Sequence, residues 1–354
     1  MYKGKKLNIV TDFIKEYISI NNLKHGDKLP TENEIINATG VSRVTLRRAF
    51  SNMQEQNQIF SIQGSGYYLG DSIKNKEDIT IPIIISYNQE NSKILNLVGG
   101  AQKRLDSYKC NSTVHISRRD PVTEREMLQE LFDSGCRCAI IFPVSSEDNT
   151  DFYFSLIQKG MNLVFIDRQP QGIYCCNLVQ ADNMTGGYLA TKHLIEQGHR
   201  NIAVFGLDPL VHTSTIGERY AGYKQALREF GIDLPHKSYY YSKYRIFNSD
   251  VEELLSPHCN ITAVFAISDH AAVDIATHAY NKNLKVPDDL AVIGFDNLDI
   301  TTLFTPHLST IDQPFTQLGE EAAEIAYNII TGNSSGYTQK ILPVKLIQRE
   351  STIK

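Results

Sequence analysis

Residues 40–50 read GVSRVTLRRAF. Arg43 and Arg47 stand one helical turn apart in a stretch without proline, and the surrounding pattern decides how they are read. Upstream, LNIVTDFIKEYI (7–18) places apolar residues at Leu7, Val10, Phe13, Ile14, Tyr17 and Ile18. That three-four spacing predicts an amphipathic helix. Gly26 and Pro30 in KHGDKLP break it. TENEIINATG (31–40) opens with Thr31, carries Glu34 three residues later as a capping box, and stops at Gly40. A third helix follows at once, with Leu46, Ala49, Phe50 and Met53 facing inward. Two short helices joined by a Gly-Val-Ser turn predict a helix-turn-helix.

On the third helix Arg43 and Arg47 point away from the Leu46–Phe50–Met53 stripe. An exposed, basic first turn suits a major groove, where arginine pairs with guanine or binds phosphate. The plain alternative is a solvated charged face. IFSIQGSGYYLG (59–70) weighs against that alternative. Phe60 and Ile62 on one side, and Tyr67, Tyr68 and Leu69 on the other, flank a Gly-Ser-Gly turn. This is a hairpin signal, and after a helix-turn-helix it reads as a wing.

The order GDKLPTENEI…GVSRVTLRRAFSNMQEQNQIFSIQGSGYYLG resembles the winged-helix domain of GntR-type bacterial regulators over the first seventy residues. The resemblance implies that Arg43, Thr45 and Arg47 contact operator DNA, with Gln63 and Gly64 at the wing tip. Two positions depart from the family pattern. Asn33 stands where many members carry a basic residue, and Tyr67-Tyr68 replaces the usual Thr-Phe.

Residues 71–80, DSIKNKEDIT, are polar and read as a linker. Beyond them, strand-like runs occur at 81–86, 112–117, 138–142, 162–167, 201–206, 262–268 and 290–296. Helical stretches at 94–107, 121–134, 183–197, 217–230 and 269–282 lie between most of them. This alternation predicts an α/β fold with mostly parallel sheets covered on both faces. Seven runs are many for one sheet, so two doubly wound lobes are expected. The expected domains are a winged helix over 1–70, a linker over 71–80 and a two-lobed domain over 81–354.

Ligands bind beyond the carboxyl ends of strands in such sheets. Tyr87, Asn88 and Asn91 follow the first run, and Asp167-Arg168 the fourth. Arg219 follows the fifth, Ser268-Asp269 the sixth and Asp296-Asn297 the seventh. Carboxylates that accept hydroxyls and guanidiniums that donate across adjacent oxygens suit a small polyhydroxylated ligand. Each residue also has a plain role open to it: Asp167 as a loop cap, Arg219 in a surface pair, Asp296 as a helix cap.

Several stretches in order are similar to the effector domain of LacI/GalR-type regulators, itself similar to periplasmic sugar-binding proteins. They include VFIDRQ, DNMTGGYLATKHLIEQGHRNIAVFG, GERYAGYKQAL, VPDDLAVIGFDN, TPHLSTIDQP and LIQREST. The resemblance runs from about Ile81 to Thr352. It implies a ligand set of Asn91, Asp167, Arg168, Arg219, Asp296 and Gln313, with Lys93 at a ligand-selecting position. Ser268 is a departure, standing where the family usually has Asn. A GntR-type head on a LacI-type body resembles the arrangement of hybrid arabinose repressors. The identity of the sugar, free or phosphorylated, stays open.

Composition agrees. With 354 residues, 42% of them hydrophobic, more than one core is expected. No apolar run approaches the roughly 20 residues of a membrane span, and MYKGKKLNIVTDF lacks a signal peptide's apolar segment. A cytoplasmic protein with no membrane role is expected. Cys136-x-Cys138 and Cys175-Cys176 lack the partners of a zinc site and read as reduced thiols. Residues 1–70 hold nine Lys/Arg against six Asp/Glu, net +3, while the rest holds 26 against 34, net −8. A basic module on an acidic body fits nucleic-acid binding once a motif is present. No G-x-x-x-x-G-K-S/T loop or G-x-S-x-G elbow occurs, and Gly99-Gly100-Ala101-Gln102 falls inside a helix. No enzyme, cofactor or metal is therefore expected. The expected partners are operator DNA, a sugar effector and a second copy of the chain. The competing reading is a sugar-binding transport protein, which the basic head and the missing signal segment disfavour.

Overall fold

The computed structural model describes residues 2–23, 26–55, 58–62, 65–70, 79–86, 93–207, 213–242, 249–334 and 336–353. Gln63, Gly64, Tyr87, Asn88, Asn91 and most of the expected linker lie outside them. The chain divides into two compact units, Met1–Ile79 and Thr80–Lys354.

The first unit contains α1 (Tyr2–Asn21), α2 (Glu32–Thr39), α3 (Arg43–Glu55), β1 (Ile59–Ile62) and β2 (Gly66–Leu69). The Thr31–Glu34 capping box is formed, and Gly40 ends α2 at φ 68, a left-handed value that glycine adopts without strain. Val10, Ile14, Ile35, Leu46, Ala49, Phe50, Met53, Ile59 and Leu69 form one core. β1 and β2 pair antiparallel from Ile59–Leu69 to Ile62–Gly66. The segment around Gly26 and Pro30 does more than break a helix. Gly26 N donates to Leu69 O, Leu69 N to Asp27 O, and Leu29 N to Tyr67 O, so residues 26–29 pair with the outer edge of β2. The Tyr67-Tyr68 departure divides between two tasks. Tyr67 packs on Phe50 with ring centroids 4.3 Å apart, and Tyr68 stacks on Phe60 at 5.6 Å.

The second unit begins with β3 (Thr80–Ile85), α4 (Lys93–Ser107), β4 (Asn111–Ile116), α5 (Pro121–Asp133), β5 (Cys138–Phe142), α6 (Thr150–Gln158), β6 (Asn162–Ile166) and β7 (Asn177–Ala181). It continues through α7 (Asn183–Glu196), β8 (Ile202–Leu207), α8 (Ser214–Glu229), β9 (Tyr239–Ser242), α9 (Ser249–Leu254) and β10 (Ala263–Ala266). Then come α10 (Asp269–Asn281), β11 (Ala291–Asp296), α11 (Ile300–Leu303), β12 (Ser309–Asp312), α12 (Phe315–Ile330), β13 (Gln339–Leu342) and β14 (Lys345–Ile347). Two six-stranded sheets result, ordered β13-β7-β6-β5-β3-β4 and β14-β12-β11-β10-β8-β9. Among the described residues of these two sheets, every pairing is parallel except that of β12 with β14.

These are the two doubly wound lobes expected from the alternation. The chain passes between them after β7, after β12 and again between β13 and β14. The expected linker reaches one residue too far, because Thr80 already opens β3. Five strands (β7, β9, β12, β13 and β14) and helices α6, α9, α11 and α12 were not anticipated.

Candidate functional sites

In the first unit, α3 begins where the Ser42 hydroxyl accepts from Thr45 N at 3.2 Å. Thr45 is thereby half-buried, with its own hydroxyl 2.9 Å from that of Ser42. Arg43 and Arg47 are exposed, as expected, yet both are tied to the first turn of α2. Arg43 Nη2 donates to Asn33 Oδ1 at 3.1 Å, and Arg47 Nε lies 3.6 Å from Glu32 Oε1. Asn33, the departure from the family pattern, thus orients an arginine. Such an exposed pair contributes little stability, but it limits where the guanidinium goes. Val44 and Arg48 are also exposed on this helix. Plotting α3 at 100° per residue would have marked both. Ser65 Oγ and Tyr68 Oη hydrogen-bond at 2.5 Å beside the wing turn.

In the second unit, strand ends of the two lobes, together with α8, bring together Asp167 and Arg168 from one lobe and Arg219, Asp296 and Gln313 from the other. Asp167 and Asp296 both have positive φ, 68 and 110. Backbone strain of this kind persists where surrounding structure enforces it, and it concentrates at functional sites. Arg219 is 7% exposed. Its Nη1 donates to Ile267 O, its Nε donates to Asn183 Oδ1 at 2.9 Å, and its guanidinium sits 3.6 Å from the centre of the Phe295 ring. Asp296 Oδ1 lies 3.5 Å from Arg219 Nη1 and accepts from Gln313 Nε2. Gln313 Oε1 is buried with no protein partner. Burial pushes the Asp296 carboxyl up to about 6; Arg219 and Gln313 oppose the shift, and the charge of Asp167 across the cleft adds to it.

Arg168 is half-buried over the Phe142 ring, and its Nη1 donates to the carbonyls of Pro143 and Val144. That loop is anchored from beneath by Glu124, which is fully buried. Glu124 accepts from Val144 N at 2.9 Å, from Asn149 Nδ2 at 3.0 Å and from the Tyr153 hydroxyl. Burial holds its carboxyl above the ordinary range.

Ser268 caps α10, accepting from Ala271 N at 3.3 Å, and retains its proton to donate. Asp269, named with it from the sequence, is fully buried. It accepts from Thr310 Oγ1 and Leu298 N, both at 2.6 Å, so it fixes the turn that carries Asp296 rather than facing a ligand. Lys93 is the first residue of α4 and half-buried.

Sequence reading missed Asn183, Gln180 and Glu218. Asn183 Nδ2 and Gln180 Nε2 donate to Glu218, and burial raises that carboxyl. Asn183 follows β7, a strand that was not anticipated, and Glu218 adjoins Arg219. The lobes also touch directly. Ser214 N donates to Ser146 Oγ at 2.9 Å, and Gln169 N donates to Ser214 Oγ at 3.1 Å. Beside this bridge is a cavity of about 450 Å³, lined by Gln169, Tyr174, Ile216, Tyr220 and Tyr239 among others. Among the described residues, none of the anticipated ligand residues lines it. Among the described residues no helix is long and apolar enough to cross a membrane, and no cluster of acidic, histidine or cysteine side chains could hold a metal ion.

Residues 8–69 match the family model of bacterial regulatory proteins of the gntR family, and residues 191–352 match that of the periplasmic binding protein-like domain. The chain is 28% identical over 359 residues to an arabinose metabolism transcriptional repressor of Geobacillus stearothermophilus, covering 96% of this chain and 95% of the relative. The transcriptional repressor CytR of Escherichia coli is 36% identical over 181 residues, 49% of this chain and 51% of its own. Solved structures share the fold. A LacI family regulator from Enterococcus faecium with bound ribose matches with a TM-score of 0.64 at 24% identity, over 77% of this chain and 98% of that one. The CelR–cellobiose complex matches at 0.69 and 24%, over 91% and 95%. Residues 8–69 thus form a GntR-family helix-turn-helix domain and residues 191–352 lie in a periplasmic-binding-protein-like domain, the make-up of a two-domain transcriptional regulator.

Proposed function

We propose that the protein is a cytoplasmic repressor of carbohydrate-utilisation genes. A dimer binds a two-fold operator through α3 and the wing, and a small sugar in the cleft between the lobes releases it. The observation that carries the sugar site is the convergence of Asp167 and Arg168 with Arg219, Asp296 and Gln313, side chains from both lobes within one polar cluster. Carboxylates there accept hydroxyls, and the unpartnered Gln313 Oε1 accepts one more. The relative named for arabinose metabolism, and the ribose- and cellobiose-bound structures, support a polyhydroxylated ligand. Arg43, Thr45 and Arg47, with Gln63 and Gly64 beyond the described residues, form the proposed DNA surface. Asn91 and Lys93 complete the proposed sugar set, with Ser268 at its edge.

A ligand held by both lobes shifts their equilibrium only by its differential affinity for the closed form. Typical coupling of about 1–3 kcal/mol changes operator affinity by roughly 5- to 150-fold. The test is a thermal-shift screen of free and phosphorylated monosaccharides, followed by a gel shift with any hit. A true effector at 100 times its Kd stabilises by about 2.7 kcal/mol and releases DNA. If no sugar shifts the melting temperature, or a stabilising sugar leaves DNA bound, this reading of the cleft fails.

A further inference from the structure

Val44 is 79% exposed on α3, whereas the other apolar residues of that helix, Leu46, Ala49, Phe50 and Met53, are all buried. At about 100° per residue, Val44 lies roughly 170° from the middle of that buried cluster. Within the first two turns of the helix it is the side chain that projects most directly away from the core. Arg47 and Arg48 flank it at about 60° and 40° around the helix, and both are exposed. Arg43 and Arg47 are steered by Asn33 and Glu32 of α2. The centre of the outward face is therefore apolar and its margins are cationic.

We propose that Val44 reads the C5-methyl group of a thymine on the floor of the major groove, which makes it a determinant of operator sequence. The proposal rests on α3 being the DNA-contacting helix. A helix lying in the groove sends its margins toward the two phosphate strands and its centre toward the base edges. Valine neither donates nor accepts a hydrogen bond. Of the four base edges displayed there, thymine alone presents an apolar group. Two methyls on a β-branched carbon form a short, rigid surface with one preferred rotamer in a helix, so little side-chain freedom is lost on docking. Fold stability gains nothing from this residue. It buries little surface, and valine is a poorer helix former than alanine.

The experiment uses the full-length protein and a duplex it selects from a random pool. Each thymine is replaced in turn by deoxyuridine, which removes the methyl and leaves every hydrogen-bonding group. Wild-type affinity is expected to fall about fourfold at one thymine per half-site, the value of one buried methyl. Val44→Ala should bind the thymine and deoxyuridine duplexes equally, with an unchanged melting temperature because the side chain is exposed. The proposal is overturned if no replacement weakens the wild type, or if Val44→Ala keeps the wild-type ratio. In either case binding that still depends on Arg47 would leave the DNA-binding reading intact. A full-length protein that selects no duplex at all would overturn both.

Discussion

Asp296 combines a left-handed backbone, a guanidinium neighbour and a raised carboxyl in one side chain. Its folded-state pKa of about 6 lies above the 3.8 of an unperturbed aspartate. The folded state therefore holds this proton more tightly than the unfolded chain does. The stability it contributes is fully present below about pH 4 and is lost as pH rises through about 6. Binding of the proposed sugar should run the other way, since its hydroxyls need the ionised acceptor. Calorimetric titration should show effector affinity falling as pH drops from 7.5 to 5, with a midpoint near 6. A flat profile would mean that Asp296 does not accept from the sugar. The residues in this cluster were legible because each ends a strand or belongs to a recognised motif. Asp269 and Glu124 were not legible as supports. Their roles come from burial and from partners 20 to 41 residues away, which no local pattern encodes.

At the scale of elements, α7 and α8 show how glycine sets a functional position. A Cβ on Gly187 would lie 2.0 Å from Arg219 O, and one on Gly222 would lie 2.0 Å from Met184 O. The helices pack backbone to backbone, and this fixes where Arg219 leaves α8. Gly187→Ala should force them apart, at a cost of about 1–3 kcal/mol for overpacking. Sugar affinity should fall further than that of a surface control such as Lys192→Ala. Unfolding curves and sugar titrations on the same samples check this, and wild-type behaviour in both would refute the packing argument.

Long apolar strands in the centres of the sheets were legible, since β3, β5, β6, β8, β10 and β11 all fall within the anticipated runs to within a residue or two. The strands missed have physical reasons. β7 follows β6 with no helix between them, which breaks the alternation. β12 and β14 have four and three residues. β13, at a sheet edge, reads QKIL, with two exposed positions and no alternation of polarity to mark it.

At the scale of the whole molecule, the exposed apolar residues of the second unit fall partly on edges. β4 is an edge strand, with Val114 and Ile116 exposed at 39% and 42%. Leu95 on α4, Tyr280 on α10 and Leu303 on α11 are exposed at 63%, 77% and 81%. A self-complementary face built from these residues would cover them in a two-fold dimer. If the proposed dimer uses this face, Leu303→Arg together with Val114→Arg should give a monomer in sedimentation. Operator affinity should drop by orders of magnitude, because two linked heads gain through effective concentration. A double variant that stays dimeric would remove these surfaces from the interface.

The three passages of chain between the lobes carry a consequence for synthesis on the ribosome. Neither lobe is a continuous stretch, since α12 and β13 return to the first lobe only after the second has been laid down, and β14 then completes the second. The head, ending at Ile79, precedes 275 further residues. At about 5–20 residues per second it is synthesised roughly 14–55 s before residue 354 is added. A message cut anywhere between codons 80 and 314 therefore encodes an intact head with no finished lobe behind it, an allele expected to be deaf to the proposed sugar at every dose.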